Sequence, residues 1–154
     1  MNDRYILAAE DDAATSKVLW YALTNAGYSV TNVVNGVEAW EAAQLIQFDL
    51  IITDYQMPEL NGRELCELLR RSEWYSGTPI ILLTAKCLEL DVRQLQDDYD
   101  LRAVFRKPFS PKDLVRAVEQ CFPALNLNQS IAPCNFLTAD SFPASPIPSP
   151  DCTS

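Results

Sequence analysis

Residues 50–62 read Leu50-Ile51-Ile52-Thr53-Asp54-Tyr55-Gln56-Met57-Pro58-Glu59-Leu60-Asn61-Gly62. A short apolar run ends at a carboxylate, a proline-containing turn follows, and Gly62 opens a stretch in which Leu65, Leu68 and Leu69 recur at helical spacing. This is a strand, an acidic turn and a helix, and the pattern repeats on both sides. Apolar runs at Tyr5 to Ala9, Tyr28 to Val34, Pro79 to Thr84 and Ala103 to Phe105 predict four more strands. Between them, Leu19, Ala22, Leu23 and Ala26 lie on one helical face that Gly27 stops, and Gly36 opens a stripe of Ala39, Ala43 and Ile46. Ser110-Pro111-Lys112-Asp113 has the N-cap, N1 and N3 residues of a helix start, with Leu114, Val118 and Cys121 turned inward. A helix over Cys87 to Gln96 is expected between the fourth and fifth strands, although Asp97, Asp98 and Asp100 crowd its end and no glycine marks a stop. Strands two to four are expected to be buried on both faces, as in a parallel sheet covered by helices. The alternation defines an α/β, (βα)5 domain.

The chain has 154 residues and a formal charge of −9, with 12 basic and 21 acidic side chains and no histidine. Such acidity disfavours a nucleic-acid or anionic membrane partner, both of which need a basic footprint. Without histidine, Ser/His/Asp and Cys/His catalysis, His-containing zinc sites and phosphorylation of the chain's own histidine are excluded. The five cysteines are scattered, with no CxxC pair, and read as free thiols in a reducing compartment. The N-terminus does not read as a signal peptide and no apolar run approaches the roughly 18 residues of a membrane span, so a cytoplasmic location is expected. Residues 1–123 form the expected domain. Residues 124–154 hold five of the ten prolines and no Lys, Arg or Gly, the composition of a disordered tail that builds no output domain.

In an open parallel sheet, ligands bind beyond the carboxyl ends of the strands. Those ends carry Glu10-Asp11-Asp12, Asp54, Thr84-Ala85 and Lys107-Pro108. Asp12 also suits an N-cap of the first helix. Two carboxylates about 4 Å apart repel by about 4 kcal/mol at an effective dielectric of about 20, so a cluster of three needs a cation. Oxygen donors beside one ammonium suit Mg²⁺. A carboxylate there can attack a phosphoryl donor, with Lys107 and the Thr84 hydroxyl binding phosphoryl oxygens.

Over residues 4 to 122 these motifs, Ile6-Leu7-Ala8-Ala9-Glu10-Asp11-Asp12, Asp54 to Gly62, Thr84-Ala85 and Lys107-Pro108-Phe109, together resemble the response-regulator receiver family of two-component signalling. The resemblance implies a flavodoxin-like fold of strand order 2-1-3-4-5 and a cis Lys107-Pro108 bond. It implies Asp54 as phosphoacceptor, Mg²⁺ held by Glu10, Asp11, Asp54 and the Gln56 backbone carbonyl, and Thr84 and Lys107 on the phosphoryl group. It further implies a phosphohistidine donor on a sensor histidine kinase or histidine phosphotransfer protein. The expected downstream protein target would meet the face made by the fourth helix, fifth strand and fifth helix, without a DNA-binding output domain.

Two features depart from the family pattern. Family members usually carry Tyr or Phe three residues before the lysine; Val104 stands there, with Phe105 one place later and therefore expected in the core on the opposite strand face. Asp100-Leu101 replaces the common Gly-Ala before the fifth strand. The alternative is a scaffold that binds partners without phosphorylation. A haloacid-dehalogenase-like hydrolase would need an acid where Gln56 stands, and a flavin domain a Ser/Thr/Gly-rich loop after the first strand.

Overall fold

A computed structural model describes residues 4–85 and 91–122. Five strands alternate with five helices: β1 (Tyr5–Ala9), α1 (Ala13–Asn25), β2 (Ser29–Val33), α2 (Gly36–Leu45), β3 (Leu50–Asp54), α3 (Gly62–Arg71), β4 (Ile80–Thr84), α4 (Val92–Tyr99), β5 (Ala103–Arg106) and α5 (Pro111–Cys121). All strand pairs are parallel and the sheet order is β2-β1-β3-β4-β5, as the resemblance implied. The order reverses between β1 and β3, which makes the crevice beyond their carboxyl ends the topological switch point.

Local chemistry accounts for the helix boundaries. Asp12 caps α1, accepting from Thr15 N at 2.9 Å and Thr15 Oγ1 at 2.7 Å, and past its end Gly27 takes a φ of 100° that suits glycine. Asn61 and Glu64 close a reciprocal capping box on α3 at 2.8 and 3.0 Å, and Asn35 caps α2 through Glu38 N at 2.7 Å. Asx-x-x-Glu before an apolar stripe is a readable start signal, yet the flanking glycines alone marked these helices in the sequence. At α5 the expected cap is observed, with Asp113 N donating to Ser110 Oγ at 3.3 Å.

Three expectations are corrected. First, β3 and β4 are buried throughout, but β2 is half exposed because it is an edge strand; β1, an interior strand, is buried from Ile6 onward. Second, α4 runs to Tyr99 rather than Gln96. Asp97 and Asp98 lie within it, Gln94 Nε2 donates to Asp98 at 2.8 Å, and Asp100 ends it in the left-handed conformation at φ 52° that a glycine would ordinarily supply. The expected start at Cys87, like the tail from residue 124, lies outside the described residues. Third, Phe105 is only half buried on the edge strand, where its ring meets Phe109 edge-on at 6.4 Å, while Val104 on the other face packs against the core.

That core lies largely under α2, α3 and α4, with Leu7, Ile51, Leu65, Leu69, Ile80 and Leu82 at its centre. Buried Tyr75 anchors its lower end. Its hydroxyl directs its one proton between the carbonyls of Ala43 and Ile46, at 2.7 and 2.8 Å, and accepts from Phe48 N at 3.2 Å. Cys66 and Cys121 are buried free thiols, and burial pushes the Cys66 thiol up to about 12, which makes it a packing residue.

Candidate functional site

Strand register builds the site. Ala9 pairs with Thr53, so the residues that follow them, Glu10 and Asp54, emerge side by side at the switch point. Asp54 pairs with Leu83 on its other side, and Thr84 follows. Lys107 N donates to Thr84 O at 2.8 Å, bringing the fifth strand's end to the same edge. The Lys107–Pro108 peptide is cis, as expected.

Glu10, Asp11 and Asp54 each present a carboxylate oxygen within 4.8 Å of the others. The Lys107 ammonium bridges two of them: Nζ lies 2.9 Å from Glu10 Oε1, 3.0 Å from Glu10 Oε2 and 3.2 Å from Asp54 Oδ2. Glu10 is fully buried and Asp54 almost so, whereas Asp11 faces solvent. Asp12 serves both helix and site, since its backbone N–H donates to Glu10 Oε2 at 3.1 Å while its carboxylate caps α1.

Burial dominates the electrostatics. It pushes Glu10 up to about 7, against the Lys107 and Asp12 hydrogen bonds, and Asp54 adds repulsion. Asp54 is also raised by burial, with Lys107 opposing and Asp11 reinforcing the shift. Burial pulls Lys107 down, but the Glu10 hydrogen bond and the charges of Asp54 and Glu10 outweigh it and leave the ammonium's pKa raised. Although Glu10 Oε1 sits 2.9 Å from that ammonium, it accepts no well-aligned hydrogen bond. A buried carboxylate oxygen without an aligned donor, in an all-oxygen cluster of three acids, fits a hard divalent cation.

Every expected site residue thus lies at one end of the sheet. Lys107 is brought into contact with Glu10 and Asp54; Thr84 is buried at the end of β4; and exposed Gln56 lines an open groove of about 490 Å³ with Asp11, Tyr55, Met57 and Asn61. Tyr55 and Asn61 were not singled out in the sequence as site residues, although the Asn61-x-x-Glu64 cap marks the turn that carries them. Gly62 lets this edge close up. Its N–H donates to Tyr55 O at 2.8 Å, and a Cβ there would fall 2.3 Å from Asp54 O, so α3 begins directly against the Asp54–Tyr55 peptide.

The fold and site define a doubly wound domain with an acidic, lysine-bridged pocket at its switch point. The chain belongs to the response regulator receiver domain family, whose model matches residues 6–119. Receiver domains are signalling modules of two-component systems rather than conventional enzymes. The chain is 29% identical to the chemotaxis response regulator CheY4 of Vibrio cholerae, covering 79% of this chain and all of that one, with a TM-score of 0.72. It is also 29% identical to the receiver domain of a sensor histidine kinase from Pseudomonas aeruginosa, a structure with a magnesium ion coordinated in its active-site cleft; there 77% and 97% of the two chains are covered, with a TM-score of 0.70. Among curated relatives, the probable transcriptional regulator ycf29 of Porphyra purpurea is 34% identical over 80% of this chain and 58% of its own length. The DNA-binding response regulator MtrA of Mycobacterium tuberculosis is 35% identical over 73% and 48%. The chain therefore spans about half the length of the curated relatives it matches. Among the described residues, no helix is long and apolar enough to cross a membrane.

Proposed function

We propose that this domain is a phosphoacceptor in which Asp54 takes a phosphoryl group from a phosphohistidine on a sensor histidine kinase or histidine phosphotransfer protein. The observation that carries this reading is the clustering of the Glu10, Asp11 and Asp54 carboxylates around one lysine at the switch point. Asp54 Oδ attacks phosphorus, the P–N bond to the donor imidazole breaks, and the imidazole leaves with its electron pair. Lys107, already 3.2 Å from Asp54, neutralises charge on the transferred group, and the buried Thr84 hydroxyl at the neighbouring strand end donates to another of its oxygens. Glu10, Asp11, Asp54 and the Gln56 carbonyl would hold Mg²⁺, which supplies charge neutralisation between the acids and the incoming phosphoryl oxygens. None of these 154 residues is a histidine, so the donor imidazole is not supplied from within them.

The domain's own chemistry in this reading is limited to forming and losing its aspartyl phosphate. Output passes to a protein target through the α4-β5-α5 face, and the acidity of the chain supports a protein rather than a nucleic-acid contact for this domain. The free thiols Cys66 and Cys121 support a reducing, cytoplasmic setting. The test is incubation with a small acyl phosphate, with and without Mg²⁺, followed by intact mass measurement. One Mg²⁺-dependent phosphoryl adduct that disappears in Asp54→Asn is expected; no adduct, or an adduct that survives the substitution, overturns the proposal in favour of a scaffold.

A further inference from the structure

Two arginines of α3 grip the last turn of α4. Arg63, in the first turn of α3, donates from Nη1 to Tyr99 Oη at 3.2 Å. Arg70, two turns on and half buried, donates from Nε to Tyr99 O at 2.7 Å and from Nη2 to Asp100 O at 3.1 Å. Its Nη1 reaches Tyr75 O at 2.6 Å and Ser76 O at 3.3 Å. Tyr99 is therefore held at its hydroxyl and at its carbonyl, and its ring packs on the same core cluster as Leu95 and Val104. Next to Arg63, the start of α3 lies directly against the Asp54–Tyr55 peptide at Gly62, where there is no room for a Cβ. Backbone packs on backbone there, joined by the Gly62 N–H to Tyr55 O hydrogen bond, so a displacement of that peptide is passed to the first turn of α3 and to Arg63.

We infer that Tyr99 is the relay by which a change of charge at Asp54 reaches α4, through the Arg63–Tyr99 hydrogen bond. The inference rests on the reading of Asp54 as the residue whose charge changes. Coupling of this kind travels through contiguous packed and hydrogen-bonded groups, and this path has two contacts between Asp54–Tyr55 and α4.

The test is hydrogen exchange of amides 92–101 in the full chain, with Asp54→Asn as a charge change that needs no phosphodonor. With Tyr99 present, Asp54→Asn is expected to change α4 exchange by about fivefold or more, the low end of coupling between sites. In Tyr99→Phe, which keeps the ring, the response should largely vanish; Arg63→Ala should abolish it equally, and the two together should do no more. Arg71→Ala, whose exposed side chain pairs with Glu67 on the same helix, should leave it intact. An undiminished response in Tyr99→Phe, or none in the parent chain, overturns the relay. A phosphoryl adduct in the intact mass of Tyr99→Phe is scored separately, so loss of the phosphoacceptor reading and loss of the relay are told apart.

Discussion

Substituting alanine for Gly62 tests how closely α3 is set against the site. The added Cβ would lie 2.3 Å from Asp54 O, 2.8 Å from Tyr55 Cα and 3.1 Å from the Asp54 carbonyl carbon, all backbone atoms without a flexible end to swing aside. Ordinary contact would require α3 to retreat by about 1 Å. Overpacking costs about 1–3 kcal/mol, and backbone neighbours place this site at the upper end. Against it stands the better helix propensity of alanine, at most about 1 kcal/mol. The clash wins, for a net loss of about 2 kcal/mol in urea denaturation. Because the displaced peptide carries Asp54, phosphoryl incorporation from an acyl phosphate should also fall, by up to about a hundredfold for a 1 Å misplacement. Gly77, with nothing within 4 Å of a built Cβ, is the control, and Gly77→Ala should stay within about 0.5 kcal/mol of the parent. Equal stability and equal phosphorylation rates in the two variants would refute the close-approach argument.

Lys107→Met removes the cation between Glu10 and Asp54 and leaves three acids within 4.8 Å; at that separation each ionised pair repels by about 3.5 kcal/mol at an effective dielectric of about 20. The variant should melt lower than the parent at pH 8 without Mg²⁺ and recover part of the loss when Mg²⁺ is added, as thermal denaturation would read. Glu10 is raised to about 7 when folded against an ordinary value of 4.5, so the folded state binds its proton more tightly. Its contribution to the stability of the metal-free chain is present below pH 4.5 and is lost as pH rises through about 7. Mg²⁺ competes with that proton, so affinity measured by titration calorimetry should weaken as pH falls through about 7. Tyr75→Phe strands the Phe48 N–H and two carbonyls at a buried point, and should cost about 1–3 kcal/mol in denaturant melts without affecting phosphoryl incorporation.

Most of this architecture was legible because two periodicities, apolar runs and helical stripes, alternate along the chain with acids at the strand ends. Glu10, Asp54, Thr84 and Lys107 could be placed because a parallel sheet delivers every strand's carboxyl end to one edge. Residue patterns inform less where the chain breaks its own rules. Asp100 stops α4 without glycine because its backbone tolerates the left-handed conformation and Arg70 binds its carbonyl, a contact 30 residues away that no local reading supplies. The exposure of β2 follows from its place at the edge of the sheet, which depends on the order of all five strands. Phe105 sits on the face predicted for it, yet a position on the outermost strand leaves it only half covered.

Among the described residues, the order β2-β1-β3-β4-β5 leaves β2 and β5 each paired on one side only. Each carries a deterrent to pairing with another sheet. β5 is only four residues long, is preceded by exposed Arg102, ends at exposed Arg106 and is followed closely by Pro108; β2 turns Ser29, Thr31 and Asn32 toward water. Short length, positive charge and polar side chains are the means by which natural sheets avoid edge-to-edge growth. The core strands are among the most apolar segments of the sequence, so protection against sheet-to-sheet pairing falls to the margins rather than to the interior.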